Sequence, residues 1–298
     1  MLVTGAGGQV GTEVERVLAG RAEVVAHTRE TMDLANPAEV VARIREAAPR
    51  AIVNAAAYTA VDRAESEPEA AHSANAVAPG LIAGEARRLG ALLIHFSTDY
   101  VFDGTKRTPY VEDDATNPLG AYGRSKLEGE RAVLASGAAA IVLRTAWVYG
   151  PHGRNFLLTM LRLAAKGDPI RVVDDQLGAP TSSIAIARAV AALLGAGDGP
   201  ITQEGLDPRI ASAGLYHATA EGETSWHGFA RAIFEERSRG VAGFKAPPVE
   251  PIATEQYPTP ATRPAYSVLS SEKLARTFGV RLGSWRDGLA EVLSALGG

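Results

Sequence analysis

Short runs of consecutive apolar residues alternate, along the first half of the chain, with longer stretches whose apolar positions recur every three or four residues. The first kind reads as strand and the second as amphipathic helix. "MLVT" is a strand, followed by a glycine-rich segment over 5–11 and a helix running through Val17; "AEVVAH" is a second strand. "NPAEVVARIREAAP" predicts a helix with Asn36 as N-cap, Pro37 at its first position and Glu39 completing a capping-box pattern. "RAIVNAAA" is a third strand, "HSANAVAPGLIAGEARRLG" a helix closing on Gly90, and "ALLIHFS" a fourth strand. A helix carrying Tyr122 comes next, and "AAAIVLRTAWVYG" is a fifth strand. Strands that are apolar nearly throughout must be covered on both faces, so the alternation predicts an α/β fold with a Rossmann-type, doubly wound parallel sheet. In such sheets ligands bind beyond the carboxyl ends of the strands.

Past residue 150 the rhythm breaks. "DDQLGAPTSSIAIARAVAALLG" reads as a loop and helix returning to the first layer, and the proline-rich "KAPPVEPIATEQYPTPATRP" as a stiffened connection. The expected division is a dinucleotide-binding domain over 1–147, joined again by 175–198, with a smaller substrate-binding lobe from 148–174 and 199–298. The segment 200–213 has no assigned role.

Composition narrows the class without choosing the chemistry. The 298 residues are 46% hydrophobic and 21% charged with a net charge of −4, which gives no electrostatic footprint for nucleic acid or an anionic membrane. The absence of cysteine excludes disulfides and thiolate chemistry. With neither a signal-peptide pattern nor an apolar run of membrane-spanning length, a soluble, cytoplasmic chain is expected.

The unusual residues fall at the predicted strand ends. After the first strand come Gly5, Gly8 and Gly11, where missing side chains allow a tight turn, close approach of a pyrophosphate and close helix packing. The alternative is a structural glycine turn; the position between strand and helix favours a dinucleotide. After the second strand the chain reads "HTRE", with no carboxylate directly following. Thr28 and Arg29 suit a 2′-phosphate, hence NADPH, with NADH possible and a solvated surface arginine as the alternative. Asp33 and Leu34 lie a little further on, beside the expected adenine. The fourth strand ends in "HFSTDYVFDG", and Tyr122 and Lys126 stand one helical turn apart in "YGRSK". A carbonyl reduction needs a proton donor, and an ammonium beside a phenol favours phenolate and lowers the phenol's pKa. Thr98 can hydrogen-bond the oxygen on which charge develops. His95 is read as a packed histidine, not a proton shuttle, and no metal-ligand spacing appears.

With these residues the sequence resembles the extended short-chain dehydrogenase/reductase superfamily and, within it, the dTDP-4-dehydrorhamnose reductases. The match runs along nearly the whole chain, through "GAGGQVG", "IVNAAAYTAVDRAESEPE", "HFSTDYVFDG", "NPLGAYGRSKLEGE", "LRTAWVYG", "NFLLTMLRLA", "DDQLGAPT" and "YPTPATRP". The resemblance implies catalytic Thr98, Tyr122 and Lys126, with Asp99 and Trp147 near a nucleotide-sugar substrate. It also implies cofactor contacts at Gln9, Val10, Asp33, Leu34, Ala57, Tyr58 and Thr59. Arg263, in "YPTPATRP", either faces the substrate's phosphates or decorates a linker. The implied reaction is reduction of the C4 keto group of a dTDP-linked 4-dehydrohexose by NAD(P)H. Another nucleotide-linked 4-ketohexose, or a non-catalytic cofactor-binding regulatory subunit, remains open. Some members of that family are described as dimers bridged by magnesium through three glutamates. Glu13 matches the first, while Ile184 and Ala295 fall on the others and cannot ligate a hard cation. No magnesium-bridged dimer is therefore expected, only a monomer or weak homodimer.

Overall fold

The computed structural model describes residues 1–196 and 199–297. The end of the returning segment at 198 and the last residue of the smaller lobe lie outside the described residues. Among the described residues, six parallel strands form one sheet. Its first five strands in chain order are β1 (Leu2–Thr4), β2 (Val25–His27), β3 (Ala51–Asn54), β4 (Leu92–Thr98) and β5 (Ala140–Thr145). Across the sheet the order is β2, β1, β3, β4, β5 and the strand Gly214–His217. Every residue of β1, β3, β4 and β5 is buried, as strands covered on both faces require.

Alternation sorts their side chains into two cores. Val3, Val53, Ile94 and Ile141 pack with Val14 and Leu18 of the helix Gln9–Leu18 (α1) and with Val190 of the helix Ser183–Leu193. Their neighbours Leu2, Ile52, Leu93 and Val142 pack with Val40 and Ile44 of the helix Pro37–Ala47 (α2) and with Ile82 of the helix Ala78–Leu89. Successive residues point to opposite faces, and each fully buried aliphatic side chain contributes roughly 1.5–3 kcal/mol. A third core joins Tyr149, Leu157, Met160, Phe229, Ile233, Trp285 and Val292 from the later part of the chain.

Three elements differ from the sequence pattern. The fifth strand does not run through to Gly150: it stops at Thr145, and Trp147 takes a left-handed φ of 48° before the short strand Val148–Tyr149. The capping box on α2 is half made. Asn36 accepts from the Glu39 amide at 3.3 Å, but the Glu39 carboxylate reaches back to the Asp33 amide at 3.4 Å. The segment expected in the smaller lobe from residue 199 supplies the helix Gln203–Ala211 and then the strand Gly214–His217, which extends the main sheet beside β5. Among the described residues, no helix is long and apolar enough to cross a membrane.

Candidate active site

From β1 the chain runs outward to β2 and then crosses to β3 on the other side of β1, so the strand order reverses between β1 and β3. A crevice opens at such a point, beyond the carboxyl ends. Gly5 turns the chain there at φ +67°, where a Cβ would lie 2.7 Å from the Ala56 nitrogen. A Cβ on Gly11 would stand 2.1 Å from the Gly5 carbonyl oxygen, so only glycine lets α1 close on the loop. Gly8 is the N-cap of α1 and gives no side-chain cap. The first amides of this helix face the crevice mouth, the arrangement that receives a phosphate anion. Gln9 accepts from the Asn155 amide at 2.8 Å, tying the loop to the later half of the chain, and Val10 packs on the core beneath.

At the end of β2, the Thr28 hydroxyl donates to Glu30 at 2.6 Å, so a carboxylate stands closer to this position than the order of residues suggests. Arg29 is exposed, and no hydrogen bond or ion pair engages it among the described residues. Asp33 accepts from the Ala35 amide at 3.0 Å, and Leu34 is buried under the same loop. Beyond β3 run Ala57, Tyr58 and Thr59. Buried Asn75 holds this segment, accepting from the Tyr58 amide at 2.8 Å and donating to the Tyr58 carbonyl at 2.9 Å and to the Ser125 hydroxyl at 3.0 Å. Asn75 sits in the π-helical turn Ser73–Val77, whose widened backbone turns the side chain across to the next helix.

That next helix, Ala121–Ala135, carries Tyr122 and Lys126. Gly120 caps it without a side chain; instead Glu65 accepts from the Ala121 amide at 2.7 Å, a charged cap from a distant loop. Gly123 and Gly129 bring the helix close, since a Cβ would lie 2.2 Å from the Tyr100 carbonyl oxygen and 2.0 Å from that of Asn75, respectively. Lys126 is buried and its ammonium donates to the Phe96 carbonyl of β4 at 2.6 Å. Thr98 and Asp99 are buried at the end of β4, the Thr98 hydroxyl donating to Asp99 at 2.9 Å. The Tyr122 ring meets Tyr100 edge-on at 5.8 Å. Thr98, Asp99, Tyr122 and Lys126 thus converge on one strand end.

The electrostatics differ from the sequence argument in one respect. Burial pushes the Tyr122 phenol up to about 12, opposed by the Thr98 hydroxyl, and the Lys126 ammonium is spent on a backbone carbonyl. The phenol's net shift is therefore upward, with burial its largest cause. Burial likewise lowers Lys126 to about 8 and raises Asp99 to about 6. His95 is fully buried, its Nδ1 against the Asn54 amide at 3.0 Å, and burial holds it neutral.

Trp147 stacks on Trp226 with ring centroids 3.6 Å apart and planes within 5°. Arg263 is largely buried and engaged by neighbouring side chains. It forms a two-pronged ion pair with Asp62 at 3.0 and 2.9 Å and also donates to Thr259 at 2.6 Å. The pair straps the loop over 259–264 to the segment after β3, beside a narrow cleft lined by Tyr100, Tyr122, Ala261 and Pro264. Glu13 is buried with Arg16 at 2.7 Å and His152 at 3.2 Å, and no cluster of three or more metal-ligating side chains occurs among the described residues.

Several residues at the site escape the sequence pattern. Glu130 and Arg144 form a buried ion pair beneath the Tyr122 helix, and its only local trace is the Y-x-x-x-K-x-x-x-E spacing of "YGRSKLEGE". Glu65, Asn75 and Trp226 act on segments distant in sequence, and such contacts leave no periodic signal.

A dinucleotide crevice with a hydroxyl, a tyrosine and a lysine at the end of the fourth strand defines a Rossmann-fold enzyme of the extended short-chain dehydrogenase/reductase type. A family model described as the RmlD substrate binding domain matches residues 1–297, and the chain belongs to that family. A dTDP-4-dehydrorhamnose reductase of Burkholderia thailandensis is 47% identical over 96% of this chain and 95% of its own length. Among solved structures, a dTDP-4-dehydrorhamnose reductase of Clostridium acetobutylicum is 37% identical with a TM-score of 0.87, covering 100% of this chain and 99% of its own. That of Bacillus anthracis, in complex with NADP, is 31% identical with a TM-score of 0.88, covering 99% and 98%.

Proposed function

We propose that the chain is an NADPH-dependent dTDP-4-dehydrorhamnose reductase, converting the C4 ketone of dTDP-4-dehydro-β-L-rhamnose to the alcohol of dTDP-L-rhamnose. The observation that carries the reading is the convergence of Thr98, Tyr122 and Lys126 at the end of β4, with β3 between it and the strand that leads into the glycine cradle. The names of relatives matching nearly the full chain supply the substrate. The cradle fits a dinucleotide, because a Cβ at Gly5 or Gly11 would clash with backbone and the amides of α1 are uncapped by any side chain. When bound, the cofactor supplies the hydride that adds to C4.

The protein's part is orientation and the proton. Tyr122 donates its phenolic proton to the C4 oxygen as the hydride arrives at carbon, so carbonyl becomes alcohol and tyrosine becomes phenolate, to be reprotonated from water. With substrate bound, the Thr98 hydroxyl turns its proton from Asp99 to the same oxygen, a contact that strengthens as charge builds. Lys126 holds a buried positive charge near the forming phenolate, and Gly5, Gly8, Gln9, Val10 and Gly11 receive the pyrophosphate. Ala57, Tyr58 and Thr59 line the cofactor, while Asp99 and Trp147 border the sugar. Residues 148–174, with the helices Trp226–Gly240 and Trp285–Ala295 packed on them, form the lobe that covers it. Arg263 acts from within its Asp62 ion pair, fixing the loop at the rim.

Incubating the protein with NADPH and either dTDP- or GDP-linked 4-keto sugars, and following cofactor oxidation, tests the assignment. Turnover is expected with the dTDP sugar; equal rates with both would remove the thymidine nucleotide from the reading. Arg29→Ala tests the cofactor. It is expected to weaken NADPH binding about tenfold or more, the scale of one charge-assisted contact, and NADH binding little. Equal weakening of both would show that Arg29 does not meet the 2′-phosphate.

A further inference from the structure

Beneath the Tyr122 helix lies a closed group of buried polar side chains that the reaction as described does not use. Glu130 accepts from Arg144 Nε at 2.8 Å and from Arg144 Nη2 at 2.7 Å, and the Ser97 hydroxyl donates to it as well. All three residues are at most 4% exposed. Buried ion pairs are often replaceable by apolar residues without loss of stability, so stability alone is a poor reason for one here. Its position suggests another. Glu130 stands one turn beyond Lys126, which stands one turn beyond Tyr122, so the three share the helix face turned to the sheet. Ser97 immediately precedes Thr98.

The charges around Lys126 can be named element by element. Its own helix presents Tyr122 and Glu130; β4 presents His95, held neutral by burial, and Asp99 at its end. Arg144 comes from β5, bound to Glu130. His217, on the strand beyond, is also lowered, to about 3, first by burial and then by Arg144, so it brings no charge near neutral pH. Glu112 accepts from the His217 amide at 2.8 Å, further out. Lys126 itself has a backbone carbonyl as its hydrogen-bond acceptor.

We propose that Glu130 is a positioning residue for the reduction, its carboxylate being the buried counter-charge that keeps Lys126 an ammonium. The inference rests on the role given to Lys126 above. Burial pulls the Lys126 ammonium down and the attraction of Glu130 opposes it. Removing the carboxylate lets burial act alone, so Lys126 loses its proton at lower pH and the alkaline limb of the rate profile moves toward acid.

The experiment is the pH profile of kcat/KM for Glu130→Gln, paired with an NMR titration of 13C-lysine-labelled protein without cofactor. Lys126→Met identifies the Lys126 signal. The alkaline limb and the Lys126 titration are both expected to fall by about one pH unit, the low end of what an opposite charge contributes. Glu130→Gln leaves Arg144 buried without its partner, so Glu130→Gln/Arg144→Gln is measured beside it. Arg144 is bound to Glu130 and not to Lys126, and the double variant is expected to move both in the same direction. Folded variants with the wild-type limb and titration would overturn the proposal and leave Glu130 as packing. If Lys126→Met keeps full turnover, the reading of the site fails first. If that variant is inactive while Glu130→Gln is unshifted, only the inference about Glu130 fails.

Discussion

Tyr122→Phe is expected to lower kcat by roughly a hundredfold or more while leaving the dissociation constant for NADPH unchanged, the scale of a lost general acid. The substitution removes one oxygen and keeps the ring, so the edge-on contact with Tyr100 survives and the helix Ala121–Ala135 keeps its packing. Burial raises the phenol to about 12, so the donor is fully protonated at working pH and its loss removes a proton that no neighbour replaces in the same place. Asp99 lies at the same strand end, where one of its oxygens accepts from the Thr98 hydroxyl. Single-turnover rates with saturating cofactor would separate the chemical step from binding. A rate within a few-fold of wild type would show that Tyr122 is not the proton donor.

Much of this frame was legible because doubly covered parallel strands write short continuous apolar runs and their covering helices a period of 3.6. The glycines at 5, 8 and 11 and the Tyr122–Lys126 pair are equally local signals, and the structure places both at strand ends around one crevice. What the pattern missed depends on contacts between distant segments. The sequence offers Arg263 either a phosphate or a linker surface, and its ion pair with Asp62 escapes the pattern because the two lie 201 residues apart. The Tyr122–Lys126 spacing suggested mutual electrostatics, but burial, which a linear pattern does not reveal, sets the direction of the phenol's shift. The apolar run through "TAWVYG" concealed a break, since one tryptophan at φ 48° ends a strand without changing hydrophobicity.

That tryptophan carries the second large expectation. Trp147→Ala is expected to lower kcat/KM by about a hundredfold, the order of a misplacement of roughly 1 Å in the reacting pair. Two readings of the ring differ in what else is lost. A core tryptophan truncated to alanine costs about 3–5 kcal/mol. Trp147 is only partly buried and belongs to none of the hydrophobic clusters, although its ring stacks on Trp226 and presses on Gly178. Its melting penalty should therefore be smaller than the core value, and the strained φ gives the fold no reason to keep a large side chain there. Gly178→Ala makes the distinction without touching the tryptophan. A Cβ there would meet the indole at 2.3–2.7 Å, so the ring must tilt away from its place while its own atoms remain. If the ring is a wall for the sugar, Gly178→Ala should reproduce much of the loss in kcat/KM at nearly wild-type cofactor affinity. A Trp147→Ala protein that melts far below wild type, yet whose folded fraction turns over at the full rate, would place the ring in the core and remove it from the substrate site.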